Sequence, residues 1–428
     1  MDASAASLDR RLKDAAELFG TPCYVFLGSE IERRARHLRN VFGRFSLSFA
    51  VKCNPNPAIL THLQSQVDYL DISSIGEFHA ALATGWQPQR ISFTGPAKRD
   101  FEIEQVISGG IGELIVESVR EAIMADRIAR SRGVVQRVLI RVAPSYVPKG
   151  FGDHMAGRPS AFGIDWEVAE KEIPVIAALE NLHVVGLHIY SGTQCLRADS
   201  VSENLRSFLT IFKQVYQGIL SRPPEKLVLG SGFGIPYHNG DLPLDIHSVE
   251  RELAADLDSF QSSPFFRDTV LVLELGRYLV GEAGYFLTEV VAVKESRGTK
   301  IAICDGGMNN HLPASGHFGM VMHRNYAMHK LEATQPAPAP ALEKINLVGP
   351  LCTSIDRLGV GVMLAEVVEG DIIAIHNSGA YGLTASPIHF ISHSPAKEIF
   401  IGQDSSRDVS HVPALPSATP RSASVVDR

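Results

Sequence analysis

Between about residue 30 and residue 280 the chain repeats one pattern, a short apolar run followed by an amphipathic stretch long enough for a helix. The runs are Leu47 to Val51, Tyr69 to Ile72, Ile91 to Thr94, Leu114 to Val116, Val138 to Val142, Val184 to Ile189, Lys226 to Leu229 and Thr269 to Leu273. Unbroken apolar runs suit strands covered on both faces, and helix-length spacers supply the crossovers that parallel strands need. Eight such units predict an α/β fold, a (β/α)8 TIM barrel. A doubly wound open sheet is the alternative, because counting runs does not establish closure.

After Gly284 the rhythm changes to alternation, in Tyr285 to Val293, Lys300 to Cys304, Lys344 to Val348, Asp371 to Ile375 and His389 to Ile391. Alternation of this kind predicts a C-terminal domain of antiparallel β-strands. The expected division is residues 1–29 as a segment packing with the β domain, 30–284 as the barrel, 285–404 as the β domain and 405–428 as a disordered tail. Residues 334–341, Thr-Gln-Pro-Ala-Pro-Ala-Pro-Ala, cannot sustain a ladder and read as a surface loop. The 428-residue length itself favours two domains.

A formal charge of −7 argues against a nucleic-acid partner, which would demand a concentrated basic face. No apolar run is long enough to span a bilayer and the N-terminus lacks the features of a signal peptide, so no membrane partner and a cytoplasmic location are expected. The cysteines, Cys23, Cys53, Cys195, Cys304 and Cys352, are odd in number and scattered, which suits free thiols. The 16 histidines fall in no ligand spacing, so no metal is expected.

Chemistry concentrates where runs end. Lys52 closes the first run and precedes the polar turn Cys53-Asn54-Pro55-Asn56. A lysine fixed at a strand end is placed to lose its proton and form a Schiff base, here read as one with pyridoxal phosphate; an ordinary solvated lysine is the alternative. Gly230-Ser231-Gly232-Phe233-Gly234 follows the seventh run, where backbone amides can close around an anion, though glycines serve tight turns as readily. Glu274-Leu275-Gly276-Arg277 follows the eighth: an acid there suits a protonated ring nitrogen, and the arginine suits a phosphate or carboxylate. His188 to Gln194 offers an imidazole that could stack on a flat ring and a Ser191 hydroxyl for phosphate; an ordinary core histidine is the alternative. In the β domain, Cys352 follows a Pro turn and could deliver a proton, while Tyr381 lies among small residues that permit close approach.

In this order the segments resemble the alanine-racemase-type pyridoxal-phosphate decarboxylases, the group of diaminopimelate, ornithine and arginine decarboxylases, over roughly residues 20 to 400. The resemblance implies pyridoxal 5′-phosphate as cofactor, a barrel with an alanine-racemase-like β domain, and a homodimer whose active sites combine both subunits. It makes Lys52 the covalent attachment point, Asp71 a cofactor-side carboxylate and Arg141 its support. It makes His188 the stacking ring, and Ser191, Gly232, Gly234, Gly276 and Arg277 the phosphate cradle. Glu274 would pair with the pyridine nitrogen, Tyr381 would lie by the phosphate, and Cys352 would enter from the other subunit as proton donor. Arg277, Thr353 and Tyr381 would also meet the substrate. The reaction implied is loss of the α-carboxylate of an amino acid.

Two departures bear on the substrate. In ornithine and diaminopimelate decarboxylases an acid follows the cysteine and grips a distal ammonium, whereas here the residue is Thr353. Diaminopimelate enzymes follow Asp-Ala-Gly-Met-Asn with an arginine for the distal carboxylate, whereas this chain reads Asp305-Gly306-Gly307-Met308-Asn309-Asn310-His311-Leu312-Pro313. Both absences point to a capped, conjugated or carrier-bound amino acid, as in relatives from siderophore and antibiotic pathways. His311, His317, His323, Arg324 and Asp356 remain candidates for a distal anion or amine. The alternatives are a meso-diaminopimelate decarboxylase and, from a different reaction class, an amino-acid racemase, which would need a second acid/base facing Lys52. A non-catalytic regulator would have lost cofactor groups that are present here, and a simple pyridoxal-phosphate carrier would lack the second domain.

Overall fold

The computed structural model describes residues 3–318, 323–332, 341–402 and 406–411. Eight parallel strands, Ser46–Ala50, Tyr69–Ile72, Ile91–Phe93, Glu113–Val116, Gln136–Ala143, Leu182–Ile189, Lys226–Gly230 and Val270–Leu275, pair in chain order, and the last pairs with the first. The barrel is therefore closed, and the open-sheet alternative is excluded. Residues alternate between its two faces. Leu114, Val116, Val138 and Ile140 face the surrounding helices, while Ile115, Leu139, Val185, Val228 and Val272 form a separate inner cluster. Each large side chain so buried contributes about 1.5–3 kcal/mol, which is why the strands read as unbroken apolar runs.

Serine and asparagine caps start several helices directly after strand ends. Ser74 accepts from Glu77 N and Ser118 from Glu121 N, while Asn56 accepts from Ala58 N with Pro57 in the first turn. These caps keep the βα loops short at the C-terminal mouth. At the opposite mouth Lys226 Nζ meets Glu113 at 2.7 Å and lies 3.9 Å from the centre of the Tyr69 ring. Charge-paired side chains line that end, whereas the functional groups of such barrels gather at the C-terminal mouth.

The second sheet is built around Gly284–Ser296, which pairs antiparallel with Cys23–Leu27, Thr299–Cys304 and Ile372–Ile375. Antiparallel pairings dominate, but Cys23–Leu27 runs parallel to Lys397–Ile401, and Thr299–Cys304 runs parallel to Leu342–Val348. Three details depart from the sequence pattern. His389 to Ile391 is not a strand: Phe390–Ser392 is a short turn, with Ile391 at φ 59, a left-handed conformation that cannot continue a ladder. Arg357–Ala365 is a strand despite its glycines, held by the antiparallel partner Leu342–Val348. Ser406–Asp408 pairs with Lys397–Ile401, so disorder does not begin at residue 405, and residues 412–428 lie outside the described residues. Residues 333–340, which hold nearly all of the expected Pro-Ala loop, also lie outside them.

Among the described residues no helix is long and apolar enough to cross a membrane, and no cluster of three metal-ligating side chains occurs.

Candidate active site

A cavity opens at the C-terminal mouth, lined among others by Lys52, Tyr190, Gly232, Glu274, Arg277 and Tyr381. Lys52 sits in the turn Val51–Cys53 that ends the first barrel strand, with Nζ 5.5 Å from the centre of the Tyr190 ring. Burial alone would lower its pKa. Tyr190, Glu274 and Asp71 outweigh that and leave it raised. The expectation of a lysine ready to lose its proton is thus corrected, because the surrounding acids hold the free amine as an ammonium.

Glu274 is buried at the end of the last barrel strand and bonds His188 Nε2 through Oε2 at 3.0 Å. Burial would raise this carboxyl, but His188, Lys52 and Arg141 offset it and leave Glu274 lowered, hence ionised. Asp71 shows the opposite result in the same neighbourhood. Burial and the like charge of Glu274 push it well up, against the hydroxyls of Ser92 and Thr94, which bond Oδ1 at 2.8 and 2.6 Å. Two carboxyls that share one region cannot both ionise cheaply, and here the imidazole partner selects Glu274.

Gly232 is the cradle glycine with a left-handed backbone. It has φ +66, and a Cβ there would come 2.5 Å from the Phe151 ring and 2.6 Å from Gly192 O. Arg277 Nη1 donates to the Tyr237 hydroxyl at 3.1 Å, and its guanidinium carbon lies 5.0 Å from the Tyr381 ring centre. The β domain is tied to the lysine turn at this point: Tyr381 N donates to Cys53 O at 2.8 Å and Asn54 Nδ2 to Gly379 O at 3.0 Å.

Other expected residues fall elsewhere. The Ser191 hydroxyl donates to Asn204 Oδ1 at 2.7 Å and is fully buried outside the cavity lining, while Ser231 lines the cavity. Gly234 does not line it: its amide bonds Cys195 O at 2.9 Å, and a Cβ would come 2.9 Å from that oxygen, so its role in this structure is close backbone approach. Arg141 lies behind the lining, bonded to Glu117. Gly276 borders the cavity beside Cys53.

Cys352 is exposed and does not line the cavity of its own chain. Its loop is clipped by Asp356, whose carboxylate accepts from Met308 N at 2.7 Å and Leu351 N at 2.9 Å. That use removes Asp356 as a substrate ligand. His311 is removed too, being fully buried, bonded to Ser378 at 2.9 Å and pushed down to about 3 by burial, so it is uncharged. Arg324 is paired with Asp241 at 2.7 Å. His317 and His323 are exposed, outside the cavity lining.

Four contributors escaped sequence reasoning: Tyr190, Tyr237, Phe151 and Glu117. Tyr190 and Glu117 had a usable signal, since both stand at strand ends on the C-terminal mouth.

Residues 28–281 match the family model for the pyridoxal-binding domain of pyridoxal-dependent decarboxylases. The chain belongs to this family. It is 34% identical to the L-glutamyl-[BtrI acyl-carrier protein] decarboxylase of Niallia circulans over 389 residues, 89% of each chain. It is 29% identical to the diaminopimelate decarboxylase of Aquifex aeolicus, over 91% of this chain and 89% of the relative. Its fold matches the diaminopimelate decarboxylase of Helicobacter pylori complexed with L-lysine, with TM-score 0.81 and 27% identity, covering 93% of this chain and 95% of the other. The decarboxylase is thus a carboxy-lyase of the pyridoxal-phosphate class. The site fits that cofactor on its own terms: Asp71 Oδ2, His188 Nδ1 and Arg277 Nε are buried without hydrogen-bond partners, around a cradle in which Gly232 admits no side chain.

Proposed function

We propose that this decarboxylase removes the α-carboxylate of an amino acid whose far end is joined to a carrier or otherwise capped. The observation that carries the substrate class is Thr353, half-buried beside Cys352 where an acid would be needed to balance a desolvated ammonium. No arginine follows Asn310. The relative whose name specifies a carrier-linked glutamyl group supports the same reading.

Pyridoxal phosphate, when bound, supplies an aromatic ring that accepts the electron pair left as carbon dioxide departs. Arg277 and the amides about Gly232 would hold the phosphate. Lys52 Nζ would hold the cofactor and, released by substrate, carry a proton. Glu274, kept ionised, would hold a proton on the ring nitrogen, and His188 would cover the ring. Cys352 Sγ is the candidate to donate the proton that replaces the carboxylate. Because it is exposed and outside the cavity lining of its own chain, the reading calls for a second copy to bring it in, hence a homodimer with shared sites.

The test joins cofactor to substrate. Borohydride treatment in the presence of pyridoxal phosphate should fix an adduct on Lys52 that Lys52→Ala abolishes together with activity. Carbon dioxide release should be efficient with glutamate or another amino acid carried on an acyl-carrier protein, and poor with free diaminopimelate, lysine or ornithine. Efficient use of a free diamine would overturn the capped-substrate reading. An unchanged adduct in Lys52→Ala would overturn the lysine's role.

A further inference from the structure

Glu117 plays no part in the chemistry above, yet few acids in the molecule are so heavily bonded. It follows the strand Glu113–Val116 and is only 5% exposed. Its two oxygens accept from Arg141 Nη1 at 3.1 and 3.0 Å; Oε1 also accepts from Gly95 N at 2.7 Å, and Oε2 from Gly163 N at 2.9 Å. One carboxylate therefore joins groups that follow or end three successive strands. A buried charge with this many donors is well compensated where it stands, and removing it strands all of them.

What these donors hold is the segment 144–163, far longer than the roughly 2–6 residues of an ordinary βα connection. Its middle crosses the mouth of the barrel. Gly152 N donates to Thr193 O at 2.7 Å and Met155 N to Ser191 O at 2.8 Å, and the Phe151 ring lies against Gly232 in the cradle. Its far end returns to the Glu117 side, where Phe162 covers the Arg141 guanidinium at 4.7 Å. Gly163, at φ +73, lies so close that a Cβ would stand 3.1 Å from Arg141 Cγ. The flap is thus zipped at its centre to the phosphate side of the cavity and pinned at its end by Glu117.

We infer that Glu117 is a positioning residue: it latches the flap 144–163 over the cofactor cavity and matches the charge of Arg141 beside Lys52 and Glu274. The charged or titratable groups acting on Lys52 are Tyr190, Glu274, Asp71 and Arg141, and Lys52 in turn acts on Glu77 and Cys53. Arg141 alone among the first four disfavours the Lys52 ammonium, and Glu117 is its counter-charge. Losing that counter-charge leaves Arg141 free to push the proton off Lys52.

The inference rests on Lys52 as the cofactor lysine, but the flap can be read without substrate. Lys149 is exposed on the flap and followed by glycine, whereas Arg158 is followed by proline and resists trypsin. With saturating pyridoxal phosphate, Glu117→Gln should be cut after Lys149 about tenfold faster than the unaltered protein, the scale of one lost charged hydrogen bond. The pH midpoint for borohydride trapping of Lys52 should fall. Glu117→Asp, which keeps the charge and shortens the reach, should return the midpoint while leaving the flap partly loosened. An unmoved midpoint in Glu117→Gln, or unaltered cleavage in both variants, overturns the inference. If Glu117→Gln does not fold, Glu117→Asp decides alone: unaltered cleavage overturns it, and faster cleavage at an unaltered midpoint supports it. Failure of the wild type to form any adduct would remove the Lys52 assignment while leaving the cleavage result standing, so the two failures are distinguishable.

Discussion

The barrel half of the site and the β-domain half are built to different degrees of completion. At the barrel mouth His188, Glu274, Asp71 and Arg141 are buried and each is hydrogen-bonded within the chain, His188 to Glu274, Asp71 to Ser92 and Thr94, and Arg141 to Glu117. In the β domain Cys352 stands exposed on a loop clipped only from behind by Asp356. The buried groups proposed to handle the cofactor are thus held within one chain, whereas Cys352 stands outside the cavity lining of its own chain. The difference teaches where variation is tolerated: altering a buried network strands its partners, whereas altering an exposed loop changes what it meets.

Three substitutions would break or sharpen this contrast. The largest effect is expected for Glu274→Gln, which removes the ionised partner of His188 and the charge that pushes Asp71 up. Turnover should fall about 10²–10³-fold, the scale for losing one electrostatic stabiliser, and Asp71 should titrate lower, visible as a shift of the acid limb of the pH–rate profile to lower pH. A loss smaller than that at Cys352 would break the contrast. Cys352→Ala should leave cofactor binding intact and slow proton return about 10²-fold, with product stereochemistry in deuterated water as the sharper measurement; unchanged rate and stereochemistry would remove its role. The smallest effect is expected for Thr353→Glu. It should improve kcat/KM for a free diamine about tenfold through a new charge partner. No gain with diaminopimelate, lysine or ornithine would mean that Thr353 does not set the substrate class.

The architecture was legible because closed parallel barrels leave a strong trace: Leu139 and Ile140 point to opposite faces, yet both are fully buried, so the middle of the strand, Val138 to Ile140, is apolar on both faces. Lys52, Glu274 and Arg277 were legible because strand ends at one mouth are where charge is otherwise unexpected. The bond of Ser191 to Asn204, one helix away, was not legible, because sequence cannot say which way a hydroxyl turns. His389 to Ile391 alternates like a strand, but its left-handed backbone at Ile391 is invisible in side-chain pattern. Glu117 sits next to the Ser118 cap of the helix Val119–Ser131, a setting that carries no sign of a site residue. Its bonds to Gly95 and Gly163 arise only when separate loops converge.

The strand Cys23–Leu27 lies between Gly284–Ser296 and Lys397–Ile401, so residue 23 is hydrogen-bonded in register with residue 397. Topologically the barrel is an insertion within the other domain. During synthesis that early strand must wait, unpaired on one edge, until nearly the whole polypeptide has emerged, whereas the barrel has all its staves once residue 275 is made. Maturation should therefore run from barrel to sheet, and a nascent chain halted before residue 397 should carry an enclosed cavity beside an open β edge.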